Sequence, residues 1–415
     1  MPLKFTWNTL RISFYALIFL LPLSFNFGGV VYLTDVVLAL FLLNFFIDWR
    51  GIYWQKPASL IWFLGFAGIA IFFAVSPAIA AVGFVRLGLL AVFALAVAKL
   101  VRAGFFKERE VFGLVVGSAV SQAVLGAVQF FKQGSLGLAR IGEAVLGADI
   151  PGVAKIIVDG EKIVRAYGLF PHPNVLAAFL LLGILAVYYL WFREKPSVTL
   201  AVGFLTILFG LALTFSRTAW MIAILLTAAA VGYALVVKTY RRSALLLLPA
   251  LVVGGLALAI LLGPQIAARS QVAADEPAFV LRGAYNKVGW EIIKSRPLGV
   301  GIGNQVQFAI ENGLYQKFGL TESWQFQPIH NIYLLIASEV GILGLAAFLI
   351  FLIKKVLPNL HPLALVIPLS LLAFGLLDHF LWTYQPGRLM LWLIIGILMG
   401  LSARSSTDRT YPSEG

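Results

Sequence analysis

Residues 173–217 read "PNVLAAFLLLGILAVYYLWFREKPSVTLAVGFLTILFGLALTFSR". Two apolar runs, near 173–192 and 198–215, flank a short connection holding Arg193 and Lys195. Each run approaches the about 20 residues that cross a bilayer as an α-helix. The stretch therefore reads as a membrane hairpin, with a basic turn at one end and Ser216-Arg217 at the other.

The rest of the chain repeats this pattern. Its 415 residues are 61% hydrophobic and 12% charged, with a mean hydropathy of +0.95. A soluble domain of this size with so apolar a surface would aggregate. The 39 glycines suit membrane helices, where small residues let backbones approach. With no cysteine, disulfides, thiolate metal sites and thiol nucleophiles are excluded. The net charge of +13 is read as membrane sorting of basic loops and not as nucleic-acid binding. The first residues resemble a signal peptide without a small-x-small cleavage site, and are taken as an uncleaved first span.

The expected fold is an all-α, polytopic helical membrane protein of about 12 transmembrane helices. The spans are placed near 10–26, 29–47, 58–75, 80–99, 111–131, 173–192, 198–215, 218–237, 243–263, 331–352, 360–378 and 386–402. Alternate connections are short and basic: Arg50 and Lys56; Lys99, Arg102, Lys107 and Arg109; Arg193 and Lys195; Lys238, Arg241 and Arg242; Lys354 and Lys355. These are expected in the cytoplasm with both termini. The organisation expected is 1–131 as N-terminal transmembrane helices, 132–172 as a first outer loop and 173–263 as central helices with the Ser-Arg turn. Residues 264–330 follow as a long, partly helical periplasmic loop between spans nine and ten. The C-terminal helices and a short cytoplasmic tail occupy 331–415. Within the long loop, Val280, Tyr285 or Val288, and Ile292 recur at near-helical spacing, and Ser295–Gly299 ends the helix.

The polar groups near the expected outer rim carry the chemistry. Arg217 is either an interfacial anchor or a phosphate clamp, since a guanidinium presents a fixed fork to a phosphate. Arg282 opens the loop helix, and Arg165 precedes "AYGLFPHPNVLAAFL". In that run Asn174 can cap a helix and His172 reads as a solvated loop histidine. Asp35 and Arg86 each lie roughly 9 Å below an outer helix end, where charges pair or line a polar cavity. Asp378, His379 and Arg388 add to the rim. His330, before Asn331 and a fresh apolar run, can take a proton from a hydroxyl when neutral. Glu339 is out of phase with it on an ideal helix and is given a buried pairing role. "GVGIGN" lacks the glycine spacing and strand context of a dinucleotide site. The outer face shows no acidic metal pattern.

Taken in order, "LTFSRTAW", "LRGAYNKVGWEIIKSRPLGVGIGN" and "HNIYLLIASEVGILG" resemble the O-antigen ligase and O-antigen polymerase superfamily over roughly residues 160–400. The resemblance implies an inverting membrane glycosyltransferase with no metal and no cofactor. It would move a glycan from undecaprenyl diphosphate to an acceptor hydroxyl on the periplasmic face of the bacterial inner membrane. The acceptor implied is lipid A-core or another glycan or lipid. Carried over, His330 is the base on the acceptor, and Arg217 and Arg282 hold the diphosphate. Arg165 and Arg86 are further candidates for that task, with Asp35, Asn174, Asn331 and Glu339 in support. The alternatives are a polymerase joining lipid-linked repeats and, more distantly, a transporter of lipid-linked glycan or solute. The partners expected are the lipid-linked donor, the acceptor and the bilayer, with no nucleic acid.

Overall fold

A computed structural model describes residues 4–27, 31–48, 57–270 and 277–410. In chain order its helices begin with α1 (Lys4–Leu20), α2 (Leu33–Asp48), α3 (Ala58–Ala70), α4 (Pro77–Arg102) and α5 (Glu108–Lys132). Next come α6 (Pro173–Arg193), α7 (Val198–Leu213), α8 (Arg217–Val236), α9 (Lys238–Ser270) and α10 (Pro277–Ser295). The remainder are α11 (Gln305–Glu311), α12 (Leu314–Lys317), α13 (Ile332–Val340), α14 (Ile342–Phe351), α15 (Pro362–Leu377), α16 (Phe380–Thr383) and α17 (Gln385–Thr410). Among the described residues, 6 helices are long and apolar enough to cross a membrane: α4, α5, α6, α8, α9 and the 385–403 part of α17. The all-α membrane class holds. The basic connection at Arg50 and Lys56 lies outside the described residues.

The chain folds as two compact units. The first comprises Met1–Arg50, Ala103–Val272 and His361–Leu371; the second comprises Gly51–Arg102, Ala273–Leu360 and Leu372–Gly415.

In the first unit α6 is buried along its whole apolar length. A helix apolar on every face must sit inside a bundle, and small residues let its neighbours close on it. A Cβ on Gly183 would come within 2.5 Å of Ala119 on α5, and one on Gly210 of α7 within 2.6 Å of Ala123. The expected all-α chain also carries two short antiparallel ribbons, one of which pairs β1 (Asn26–Phe27) with β2 (Val31–Tyr32). The other, β3 (Lys155–Val158) with β4 (Glu161–Val164), lies within residues 132–172. Asp159 and Gly160 turn it with φ of 51° and 85°, the conformation that Asp-Gly hairpins favour. The Glu143 carboxylate fastens the same loop. It accepts from Leu136 N and Leu138 N at 2.7 Å and from Gln129 Nε2 at 2.8 Å. Burial raises its pKa, but these donors outweigh burial and hold it below the usual carboxylate range.

In the second unit α4 packs along α17, where Cβ atoms on Gly396 and Gly400 would clash with Ala94, Val97 and Val101. α3 packs on α14, with Phe63 and Phe348 ring centroids 5.1 Å apart. α10 packs on α13 and carries a buried face of Ala284, Tyr285, Val288 and Ile292.

Several expectations change. The single run 331–352 is broken at Gly341 into α13 and α14. α9 continues to Ser270 through Pro264, so residues 264–270 are helix and not the start of a loop. Lys238, Arg241 and Arg242 form its first turns, not a connection. Asp35 sits in the first turn of α2 and not deep along it, accepting from Tyr32 N at 3.0 Å. The ribbon before α2 uses up residues that the hydropathy pattern assigns to a span. Val280 is 57% exposed, so the buried stripe of α10 starts at Leu281 and Ala284.

Candidate active site

The second unit holds His330 by fixing the backbone on either side of it. Tyr285 Oη on α10 donates to Gln325 O at 2.9 Å, and Tyr315 Oη on α12 donates to Gln327 O at 2.6 Å. Gln305 Oε1 accepts from Ile329 N at 3.2 Å. Beyond the histidine, Asn331 caps α13, its Oδ1 accepting from Tyr333 N at 3.0 Å and Leu334 N at 3.1 Å. An extended segment pinned at alternate residues and ended by a cap has little freedom left, so the side chain between them is preorganised.

The imidazole is equally constrained. Its ring stacks on Tyr285, with centroids 4.9 Å apart and planes 11° from parallel. His330 Nδ1 lies 2.9 Å from Pro328 O. A carbonyl only accepts, so Nδ1 carries the proton and Nε2 keeps its lone pair. Burial pushes the pKa of His330 below its ordinary value, and the Arg282 charge acts the same way. The Asp378 carboxylate and the Pro328 carbonyl oppose that shift without reversing it. His330 is therefore neutral near pH 7.

His379 meets His330 edge-on, with ring centroids 4.6 Å apart. It is only 6% exposed, and burial pushes its pKa down to about 4. Thr383 Oγ1 donates to His379 O and lies 2.6 Å from His379 Nδ1. The hydroxyl hydrogen is thus used, and Nδ1–H donates to the Thr383 oxygen. Ligand atoms of His330, Asp378 and His379 all lie within 4.8 Å of one another. Two imidazoles with fixed outer nitrogens and one carboxylate can share a proton, and they are also a donor set that can hold a divalent metal ion.

Glu339 does not reach for the imidazole. Buried on α13, its Oε1 accepts from Gly303 N at 2.9 Å and its Oε2 from Trp382 Nε1 at 2.7 Å. The break at Gly341 explains the arrangement. Val300 N donates to Ser338 O and Gly301 N to Glu339 O, both at 2.9 Å. Ile342 N reaches back to Pro297 O at 3.0 Å. The "PLGVGIGN" turn thus satisfies the backbone groups that the break sets free. A Cβ on Gly299 would fall 2.5 Å from Glu339 O, so only glycine allows this approach. Asn304, fully buried, locks the far side of the turn by accepting from Ser76 N at 2.7 Å. Glu339 is the anchor of that turn and pairs with neutral donors.

The first unit holds a cluster around the turn between α7 and α8. Phe215 is buried with φ of 48°, an uncommon conformation for a bulky residue. Arg165 Nε donates to Thr214 O at 2.5 Å and its Nη2 to Asn174 Oδ1 at 2.9 Å. Arg269 Nε donates to Phe215 O at 3.2 Å. Arg217 begins α8 and is half-buried. The cap of α6 is His172, whose Nδ1 accepts from Asn174 N at 3.1 Å. Asn174, expected as the cap, instead receives Arg165. Arg86 stands half-buried within α4 of the second unit.

Hydropathy reading misses Tyr285 and Arg269 as site residues and places His379 only on the polar rim. Tyr285 looks like a core position, His379 like rim, and Arg269 like a loop charge. Only the "DH" pair at 378–379, sited between two apolar runs, offers a signal.

These features define a multi-pass helical membrane protein. Within that class, residues 201–349 match the family model described as O-antigen ligase, which supports the O-antigen ligase superfamily, whose members are membrane glycosyltransferase-like enzymes. No curated protein matches the chain. The matched region runs from α7 into α14 and includes Arg217, Arg282, His330 and Glu339. Arg165, Asn174 and Arg86 fall outside it.

Proposed function

We propose that the protein transfers a glycan from undecaprenyl diphosphate to an acceptor hydroxyl, with His330 as general base. The observation that carries this reading is the fixed, neutral imidazole: Nδ1–H is spent on Pro328 O, and burial keeps Nε2 unprotonated. Nε2 takes the acceptor proton as the acceptor oxygen attacks the anomeric carbon from the face opposite the diphosphate. The carbon–oxygen bond to the diphosphate breaks, inverting the sugar carbon. Undecaprenyl diphosphate leaves with the added negative charge. Asp378, whose charge acts on His330, stabilises the imidazolium that forms.

Arg282, whose charge also acts on His330, meets the diphosphate. The resemblance adds Arg217, and Arg165 and Arg86 after it. Fixed cations at a developing oxyanion contribute a few kcal/mol each in a water-poor site. Around the site we propose about 12 spans, both termini in the cytoplasm and the chemistry on the periplasmic face of the inner membrane. The long loop between spans nine and ten would cover the site, among the five segments expected from the sequence.

Of the two family activities we favour the ligase, with lipid A-core as acceptor. Purified protein in lipid nanodiscs, given a synthetic undecaprenyl diphosphate glycan, should glycosylate lipid A-core with inverted stereochemistry. His330→Ala should be inactive, and Arg282→Lys poor, because a point charge does not reproduce the guanidinium fork. Full activity in His330→Ala would end the base assignment. Products built only on a second lipid-linked repeat would make the enzyme a polymerase.

A further inference from the structure

Away from the His330 site, the second unit carries a groove that the transferase reading does not use. α3 and α14 run antiparallel, Phe63 meeting Phe348 and Phe66 lying beside Gly344. Small residues on both helices leave a hollow of about 630 Å³ between larger side chains. Trp62, Phe66, Leu343 and Ile350 form its walls, Ala346 lies along it, and Lys354 and Lys355 stand at one end.

The lysines occupy a π-helical turn, Leu352–Val356, that ends α14. Such turns are rare and recur at functional positions. Both lysines are exposed and both line the groove, and none of the described lining residues is acidic. The lining is thus apolar along its length and cationic at one tip.

Length decides the occupant. From Leu343 to Lys354 the helix rises roughly 16 Å at about 1.5 Å per residue. That is close to half of the ~30 Å hydrocarbon core, or one leaflet. Trp62 and Leu343 are 65% and 52% exposed, as side chains that face acyl chains are. We propose that this groove is a specific site for one anionic phospholipid, its acyl chain along α3 and α14 and its phosphate between Lys354 and Lys355. A peptide helix, about 10 Å across, is too wide for a hollow of this volume. A zwitterionic lipid fits the groove but leaves the two positive charges unmatched.

Native mass spectrometry of the full chain, titrated with phosphatidylglycerol or phosphatidylcholine of equal acyl length, tests the site. The wild type should retain phosphatidylglycerol over phosphatidylcholine by about fivefold per lysine, the size of a basic residue's interaction with an anionic membrane surface. The double variant K354Q/K355Q should lose that preference and still bind both lipids weakly. Ala346→Trp, which fills the groove, should reduce retention of both. Lys238→Gln, on α9 of the other unit, should change neither. The proposal is overturned if the wild type shows no headgroup preference or if K354Q/K355Q keeps it. It is equally overturned if free glycerol phosphate displaces the bound lipid as well as phosphatidylglycerol does, since the chain groove would then contribute nothing. His330→Ala should bind lipid as the wild type does, so this result stands or falls apart from the transfer chemistry.

Discussion

The imidazole of His330 lies flat on the ring of Tyr285, at 4.9 Å and 11°. The same tyrosine donates its hydroxyl to Gln325 O, five residues before the histidine. One side chain therefore both holds the segment that delivers His330 and forms the surface against which its ring rests.

Tyr285→Phe keeps the stack and loses the hydroxyl. It should cost about 1 kcal/mol of stability and lower transfer severalfold, through kcat more than KM. Tyr285→Ala should cost about 3–5 kcal/mol, as loss of a buried aromatic ring does, and reduce transfer far more. Thermal unfolding and steady-state kinetics on the two variants separate the roles. Equal losses in both would show that the stack has no part in positioning.

The pH dependence has a definite sign. Both His330 and His379 have folded-state pKa values below their ordinary 6.5, His379 at about 4. Each binds its proton more readily unfolded, so each contributes stability present above about pH 6.5 that is lost as pH falls from there towards the folded value. The acid limb of the transfer rate should accordingly lie below pH 6.5. Asp378→Asn should move that limb lower still, because the carboxylate raises the pKa of His330. Arg282→Gln should move it upward. A wild-type limb at or above pH 6.5 would remove the case for a desolvated base.

The ligand atoms of His330, Asp378 and His379, within 4.8 Å of one another, are spaced to hold a divalent metal ion. A bound Zn²⁺ would occupy His330 Nε2 and block proton transfer. Transfer should persist in chelator, fall on adding micromolar Zn²⁺, and resist Zn²⁺ in His379→Ala. Loss of wild-type activity in chelator would reverse the assignment and make the trio a working metal centre.

Gly341 has φ of 89° and ψ of 163°, a region essentially closed to other residues. A Cβ there would fall 2.8 Å from Pro297 O. Gly341→Ala should destabilise the protein by at least about 1–3 kcal/mol and loosen the Gly-rich turn. Glu339→Ala should act in the same direction, because it leaves Gly303 N and Trp382 Nε1 unpaired at about 1–3 kcal/mol each. Limited proteolysis at 297–304 reads both effects. Wild-type resistance in either variant would mean the turn is held elsewhere.

Much of the architecture was legible because membrane helices declare themselves locally. A run of about 20 apolar residues satisfies its own backbone and needs no partner to be recognised. So the helices at 173–193, 198–213 and 217–236 follow hydropathy closely, and His330, Asn331 and Glu339 stand out as polar groups within apolar context. The β3–β4 ribbon was not read from the sequence, although "IIVDGEKI" carries an Asp-Gly pair. Asp-Gly is a hairpin-turn signal that helical hydropathy masks.

What tertiary structure alone decided is which polar groups meet. Hydropathy carries a helix across Gly341, and only the carbonyl of Pro297 and the amides of Val300 and Gly301 make the break affordable. Arg165, expected at a diphosphate, also donates to Thr214 O and Asn174, and Asn174 yields the α6 cap to His172. Tyr285 and His379 become the two faces of His330 only after residues 45 and 49 positions away in sequence are packed onto it. Burial of apolar segments is a property of each segment and is written in its composition. Hydrogen bonds and ring contacts between distant segments depend on distances and directions that composition does not contain.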